Sequence, residues 1–422
     1  MTSVSTVKWT KNRSFGSATF AKALFLKLLA KLEYGYLTLQ DAEAFYTFGD
    51  PQHALQAHIT VNDPAGYARV LWGGGTIAAG ETYIEGLWDT PDLTKLIRVL
   101  VRNQHMIDQL DHGFSFLSQI GHRIAHALRP NSKAGSKKNI VAHYDLGNEF
   151  YKLFLDETML YSSAIFPSPT STLREAQLHK LHLICERLQL KQSDTLLEIG
   201  TGWGALAVYA AEHYQAKVTT TTISDAQYAY VQQLIKTKGL DQQITLLKQD
   251  YRELTGQYDK LVSIEMIEAV GHQHLPQFFK QCNKLLKPNG RMFLQAITIS
   301  DQRYDRYRKQ ADFIQRYIFP GGFLPSITVM SEQFTKHTDM KISGLNDIGL
   351  DYALTLKHWS QRLQAEQDKL AGLGLDHQFY RLWQFYLHYC AGGFKERLIS
   401  TVHLTADKPL YRDQDAAAYD AD

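Results

Sequence analysis

Cysteine is scarce in this 422-residue chain: Cys185, Cys282 and Cys390 stand far apart, with no CxxC spacing. That excludes a secreted disulfide frame and argues against structural zinc, and it fits a reducing cytosol. An excess of charge of one sign is nearly absent, since 45 Lys and Arg against 43 Asp and Glu leave a formal net charge of +2. A surface that grips nucleic acid throughout is thereby excluded, although a local basic patch is not. No apolar run approaches the about 18 residues that a membrane-spanning helix needs. The opening MTSVSTVKWTKNRSF carries basic residues but no apolar core behind them, so it does not read as a signal peptide. The expectation is a soluble, cytoplasmic protein with no nucleic-acid partner.

Apolar residues make up 44% of the chain, with 23 Tyr, 20 Phe and 6 Trp, which is enough for a substantial core and equally for a large apolar pocket. At roughly one domain per 150 residues, the length suggests two or three units. The first, residues 1–128, reads as a smaller α+β domain. In Ala21–Leu32 the residues Leu24, Phe25, Leu28, Leu29 and Leu32 recur at helical spacing, and Lys22, Lys27 and Lys31 form a basic rim. A strand at His58–Val61, a helical run from Pro64, a glycine turn at Gly73–Gly75 and a helix starting near Asp92 follow. Residues 129–139, RPNSKAGSKKN, have the composition of a linker.

From Thr195 onward the pattern changes to short apolar strands alternating with amphipathic helices. The strands are Thr195–Ile199, Lys217–Thr222, Ile244–Leu247, Lys260–Ile264 and Arg291–Ile299, and helices fall at Ala205–His213, Ala226–Lys238 and Leu275–Leu286. Strands separated by helices pair in parallel through crossovers, so residues 140–422 are expected to form a doubly wound, mostly parallel α/β sheet of Rossmann-like class. Ligand then binds at the carboxyl ends of the strands. Residues 301–394 read as mostly helical, an insertion that roofs the site.

The sharpest local feature is LLEIGTGWGALA, where an apolar strand runs into Gly200, Gly202 and Gly204 before a helix opens. Glycine there allows unusual dihedrals and close approach of backbone to a ligand. GTGWGA also satisfies the dinucleotide fingerprint, but that site places an acid about 20 residues on, at the tip of the second strand. Here the tip is TTTTIS, and the acid instead precedes the glycines, at Glu198. A carboxylate in that position suits the amino-acid part of S-adenosylmethionine, and the competing reading is a solvated charge at a strand end. His122 and His126 have the i, i+4 spacing of a helical metal pair but lack the glutamate of HExxH, so no metal site is assigned.

Nine segments in order resemble the cyclopropane-fatty-acyl-phospholipid synthases. They are His143-Tyr-Asp-Leu-Gly-Asn148, Tyr161-Ser-Ser-Ala164, the LEIGTGWG loop, Thr222-Ile-Ser-Asp-Ala-Gln227 and Gln249-Asp-Tyr-Arg252, followed by Ser263-Ile-Glu-Met-Ile-Glu-Ala-Val-Gly271, Leu294-Gln-Ala-Ile-Thr298, Tyr317 through Ser326 and Tyr386 through Gly392. The resemblance implies a class I methyltransferase fold. It also implies a reaction in which S-adenosylmethionine supplies a methylene to the cis double bond of an unsaturated phospholipid acyl chain, making a cyclopropane. By likeness, cofactor contacts fall on Tyr161, Ser162, Glu198, Gly200, Gly202, Gly204, Thr222, Gln227, Asp250 and Tyr251. Glu268, Tyr386 and Ile297 match positions that hold a bicarbonate ion, the family's proposed base. Ser163 stands where many members carry cysteine, and Gln295 where some carry histidine.

The chemistry agrees with that resemblance. An alkene is a weak nucleophile, so attack on a sulfonium methyl needs alignment and a dry site, followed by a base that removes a proton from the new methyl. A base weakened by Ser163 and Gln295 favours a methyl- or methylene-branched product instead. A small-molecule methyltransferase and a catalytically dead lipid carrier are the other readings. A lipid substrate implies peripheral contact with the inner membrane surface, to which the Lys22–Lys31 rim and Lys133, Lys137 and Lys138 are suited. A homodimer is one option, since the sequence does not fix the oligomeric state.

Overall fold

The computed structural model describes residues 18–105, 147–309 and 312–412. The 129–139 linker, His122, His126, Lys133, Lys137, Lys138 and the first four residues of the His143–Asn148 motif lie outside them. By internal contacts the chain forms two compact units, one drawn from Met1–Leu128, Lys309–Pro320 and Leu356–Leu398, the other from Arg129–Arg308, Gly321–Thr355 and Ile399–Asp422. Residues 301–394 are thus divided between the two. No helix among the described residues is long and apolar enough to cross a membrane.

In the first unit, helix α1 (Ala18–Leu29) precedes strands β1 (Tyr36–Gln40), β2 (Phe45–Gly49) and β3 (Gln56–Val61). Helices α2 (Ala65–Trp72) and α3 (Thr76–Ile84), strand β4 (Trp88–Asp89) and helix α4 (Leu93–Arg102) complete its N-terminal part. The sheet order is β2-β1-β3-β4. Leu28, Leu29 and Leu32 are buried as their spacing predicts, and Asp92 caps α4 by accepting from the Lys95 amide at 2.9 Å. Lys22 departs from the expected basic rim, because its ammonium turns inward onto Asp41 at 2.7 Å and Glu43 at 2.6 Å.

The second unit carries helices α5 (Asn148–Lys152) and α6 (Leu173–Leu188), then the alternating series β5 (Thr195–Ile199), α7 (Ala205–Tyr214), β6 (Lys217–Thr222), α8 (Asp225–Lys238), β7 (Ile244–Lys248), β8 (Tyr258–Ile264), α9 (Leu275–Leu285) and β9 (Leu286–Ile299). Helices α10 (Asp301–Tyr307) and, in the first unit, α11 (Phe313–Tyr317) come next, before α12 (Ile327–His337) and β10 (Lys341–Asp347). Helix α13 (Gly349–Ala365), which the two units divide at Thr355, helix α14 (His377–Lys395) of the first unit and strand β11 (Ile399–Asp407) end the series. Seven strands form one sheet in the order β10-β11-β9-β8-β5-β6-β7. Strands β5 to β9 pair in parallel, and β11 runs antiparallel between β9 and β10. The expected doubly wound α/β class is therefore what the chain adopts.

Helix boundaries follow their chemistry. The Thr172 hydroxyl and the Glu175 side chain form a reciprocal capping box on α6, and Ser224 caps α8, which ends on Gly239 at φ 66°. The core lies on both faces of the sheet. Phe278, Phe279, Cys282, Met292, Leu294 and Phe334 fill one side, and Ile184, Leu196, Ala207, Val231 and Phe293 the other.

The sequence β5, β6, β7 grows to one side and β8, β9 to the other, so the strand order reverses between β5 and β8. Their carboxyl ends leave a crevice there, the place where open α/β sheets bind ligands.

Candidate active site

Both halves of that crevice are built from segments singled out by the sequence. On the β5 side, Gly200, Gly202 and Gly204 all have positive φ, at 97°, 53° and 87°. The turn is pinned to β6, since the amides of Gly200 and Thr201 both donate to the Thr221 carbonyl, at 3.2 and 2.9 Å. A β-carbon on Gly202 would meet no atom within 4 Å, so this glycine borders open space. Gly204 caps α7 in the left-handed conformation and presents the first amides of a ten-residue helix. A glycine cradle that opens onto free space beside a helix N-terminus fits the carboxylate and backbone of a bound amino-acid moiety.

Glu198 is only 2% exposed, so the solvated reading does not hold. It is the cross-strand partner of Thr220, whose hydroxyl donates to it at 2.5 Å. Burial pushes its carboxyl up to about 8, against the lowering by the Thr220 and Thr201 hydroxyls. A carboxyl with a folded-state pKa raised above its unfolded value stabilises the fold fully below the unfolded pKa. That contribution is lost as pH rises through about 8. Glu198→Gln keeps an acceptor for Thr220 but cannot ionise. Its melting temperature should therefore fall less than that of the parent between about pH 6 and about pH 9, as calorimetry at the two values would show.

Other expected cofactor contacts are tied to their neighbours. The Thr222 hydroxyl donates to Gln227 Oε1 at 2.8 Å and accepts from the Ser224 amide at 3.1 Å, which fixes the turn from β6 into α8. Asp250 is clasped by Arg252 through Nε at 2.8 Å and Nη2 at 2.6 Å, and Tyr251 packs edge-on against Phe278. Tyr161 lies in an aromatic cluster with Tyr151 and Phe154. Ser162 accepts from the wholly buried Lys180 ammonium at 2.6 Å, which burial lowers to about 8.

On the β8 side the chain turns at Glu265, whose φ of 46° is unusual for a residue with a side chain. Met266 then packs over Gly200, its Cγ 3.2 Å from where a β-carbon would stand. This contact brings the two halves of the crevice together. Glu268 follows, a half-buried residue whose carboxyl points inward. Its Oε1 accepts from the Ile297 amide at 2.6 Å, whereas Oε2 is buried with no hydrogen-bond partner among the described residues. Burial first, and the neighbouring Glu265 charge second, push the Glu268 carboxyl up to about 8.

The surroundings of Glu265 correct one expectation. Its Oε1 accepts from the Ser163 amide at 2.9 Å and from Gln295 Nε2 at 2.7 Å, and its Oε2 accepts from the Tyr352 hydroxyl at 2.7 Å. Ile297, expected to border a bicarbonate ion, and Ser163 and Gln295, which stand at the positions of a family cysteine and histidine, thus already donate to carboxylates of the chain itself. A further anion there would face two buried carboxylates with those donors spent. Bicarbonate does not fit these residues as they are arranged.

Tyr386 falls in the first unit, on α14, buried between Trp383 and Phe319 at ring distances of 5.4 and 6.0 Å. Sequence reasoning missed Glu265, Tyr352, Lys180 and His403. Only Glu265 had a signal, a second carboxylate at the carboxyl end of a strand, three residues before Glu268.

Comparison with known proteins agrees with this geometry. Residues 131–404 match the mycolic acid cyclopropane synthetase family. The chain is 35% identical over 353 residues to the tuberculostearic acid methyltransferase of Mycobacterium tuberculosis, covering 82% of each. It is 36% identical over 343 residues to the cyclopropane-fatty-acyl-phospholipid synthase of Escherichia coli, covering 81% of this chain and 85% of that one. The crystal structure of a mycolic acid cyclopropane synthase complexed with SAH and CTAB superposes with a TM-score of 0.61 at 33% identity, covering 64% of this chain and 98% of that one. The chain belongs to the mycolic acid cyclopropane synthetase family, and it is an S-adenosylmethionine-dependent C-methyltransferase of that type.

Proposed function

We propose that the enzyme transfers a methylene group to the cis double bond of an unsaturated phospholipid acyl chain, closing a cyclopropane ring. The observation that carries this reading is the Met266 contact with Gly200, since it sets a buried acid, Glu268, beside the cofactor turn. Bound at that turn, S-adenosylmethionine supplies an electrophilic methyl group. Gly200, Gly202 and the α7 amides would hold its amino-acid end, with Thr222, Gln227 and the Asp250–Tyr251 step bordering the rest.

The chain's own contribution is then to exclude water and to receive a proton. Methyl addition to an alkene leaves a carbocation, which water would capture, so a dry wall is required. Burial of Ile267 and Val270, on either side of Glu268, supports such a wall. Glu268 Oε2, with no hydrogen-bond partner among the described residues, is the atom suited to take a proton from the transferred methyl.

A methyl- or methylene-branched acyl chain is the second reading. The likeness to a tuberculostearic acid methyltransferase favours it. Peripheral contact with the cytoplasmic face of the membrane belongs to either reading. Exposed Phe20 and Phe45 in the first unit support it, as do the exposed Lys27 and Lys31.

The test is incubation of the purified enzyme with methyl-labelled S-adenosylmethionine and vesicles of unsaturated phospholipid, followed by lipid extraction and fragmentation of the acyl chains. Label is expected in the acyl chain at the former double bond. Label found only in water-soluble material would overturn the lipid assignment in favour of a small-molecule acceptor.

A further inference from the structure

Two facts about Glu265 call for a reason. It holds a left-handed backbone conformation, with a φ of 46°, which costs a residue with a β-carbon about 1 kcal/mol or more. It is also a half-buried residue whose carboxyl is raised in pKa by desolvation. Both costs are offset by a set of donors aimed at one carboxyl group. The Ser163 amide and Gln295 Nε2 reach Oε1, and the Tyr352 hydroxyl reaches Oε2.

The donors are themselves held in place by a relay across the sheet. Arg187 Nη1 lies 2.6 Å from His403 Nδ1. A guanidinium can only donate, so Nδ1 must accept and the proton sits on Nε2. His403 Nε2 then donates to Gln295 Oε1 at 2.8 Å. With its oxygen so engaged, Gln295 can turn only its amide nitrogen toward Glu265. Burial, with Arg187 and Lys180 adding to it, holds the His403 pKa well below the ordinary value and keeps this tautomer neutral. Lys180, whose ammonium donates to Ser162, adds a buried positive charge that favours an anion at Glu265. These donors and the Lys180 charge are therefore arranged to receive an anion, against the opposing Glu268 carboxyl, and the chain supplies that anion itself.

We propose that Glu265 occupies the seat of the catalytic anion, so that this enzyme works with a built-in carboxylate pair, Glu265 and Glu268, and requires no bicarbonate. The inference rests on the reaction proposed above, with Glu268 as its base, and adds to it the role of Glu265. In the deprotonation step a C–H bond of the transferred methyl breaks. Its electron pair closes the ring, or forms the methylene double bond after a hydride shift, and the proton passes to Glu268 Oε2. Cation and carboxylate become neutral lipid and carboxylic acid, with no oxidant or reductant consumed. Glu265, held by its three donors, stays ionised as the counter-charge that keeps Glu268 basic.

The test compares the full-length enzyme with Glu265→Gly, which removes the carboxylate and suits the positive φ. Two readouts are used: turnover in buffer stripped of carbon dioxide, with and without added bicarbonate, and binding of 13C-bicarbonate followed by NMR. The parent enzyme is expected to keep full turnover without bicarbonate and to show no saturable bicarbonate binding. Glu265→Gly should lose at least tenfold in turnover, bind the ion in the vacated seat, and regain part of its rate when the ion is added. Parent turnover that collapses on carbon dioxide removal, saturable bicarbonate binding by the parent, or full turnover of Glu265→Gly in stripped buffer would each overturn the proposal. Should Glu265→Gly fail to fold, Glu265→Gln keeps the side-chain volume and should lose turnover with no recovery in bicarbonate; recovery would count against the proposal. The binding readout needs no lipid substrate, so a wrong assignment of the reaction would not be mistaken for a wrong assignment of the anion.

Discussion

Glu268→Gln is expected to slow product formation by about a hundredfold or more, within the range that general-base catalysis supplies, while affinity for S-adenosylhomocysteine stays unchanged. The glutamine retains an oxygen to accept from the Ile297 amide, so the β8 turn should keep its shape. What it loses is an acceptor that can carry away a proton. Steady-state turnover and calorimetric cofactor binding on the same preparation separate the two effects. A variant with normal turnover would remove Glu268 from the mechanism, and one that had lost cofactor binding would give it a structural role. The same assignment sets the pH dependence. A base must be ionised, and Glu268 lies at about 8 through burial and the facing Glu265 charge. The kcat/KM of the parent should therefore climb as pH rises toward that value and flatten above it, whereas the residual rate of Glu268→Gln should lack this limb.

The second large effect is expected at Gly200. Its φ of 97° lies outside the left-handed well that other residues can visit, and a β-carbon would press on Met266 at 3.2 and 3.3 Å. Gly200→Ala should therefore either distort the turn or push Met266 away. At about 1–3 kcal/mol of strain, cofactor affinity should fall by roughly tenfold to a hundredfold, since each 1.4 kcal/mol is about a factor of ten. Gly202→Ala provides the contrast. A β-carbon there meets open space, so a loss of affinity at that position would arise from the ligand's side of the turn. Isothermal titration with S-adenosylhomocysteine, with melting temperatures for both variants, distinguishes these cases. Unchanged affinity in Gly200→Ala would contradict the placement of the cofactor.

Much of the second unit was legible because its parallel strands read as short runs of apolar and β-branched residues between helices of amphipathic spacing. The expected bounds Thr195–Ile199 and Lys217–Thr222 coincide with the strands, and the expected helix Ala226–Lys238 differs from α8 by one residue at its start. Strands β10 and β11 were not legible. KISGLND alternates on an exposed edge and ISTVHLTAD mixes polar with apolar residues, so neither carries the pattern of a buried parallel strand. The β1–β2 hairpin lacks a tight Asn-Gly or Asp-Gly turn to announce it. At the site, the glycine turn and Glu268 could be read from spacing and resemblance. The role of Glu265 could not, because it depends on a backbone dihedral and on donors from Ser163, Gln295 and Tyr352, which lie apart in sequence and meet only when the sheet forms.

The central claim is that a methyl carbon delivered from the cofactor gives up one of its own protons to a carboxylate of this chain before the product leaves. Counting deuterium tests it directly. With S-adenosylmethionine bearing a trideuterated methyl group and vesicles of unsaturated phospholipid, mass spectrometry of the acyl chains should find two deuterium atoms on the added carbon. Three retained, or none in the lipid at all, would contradict the account.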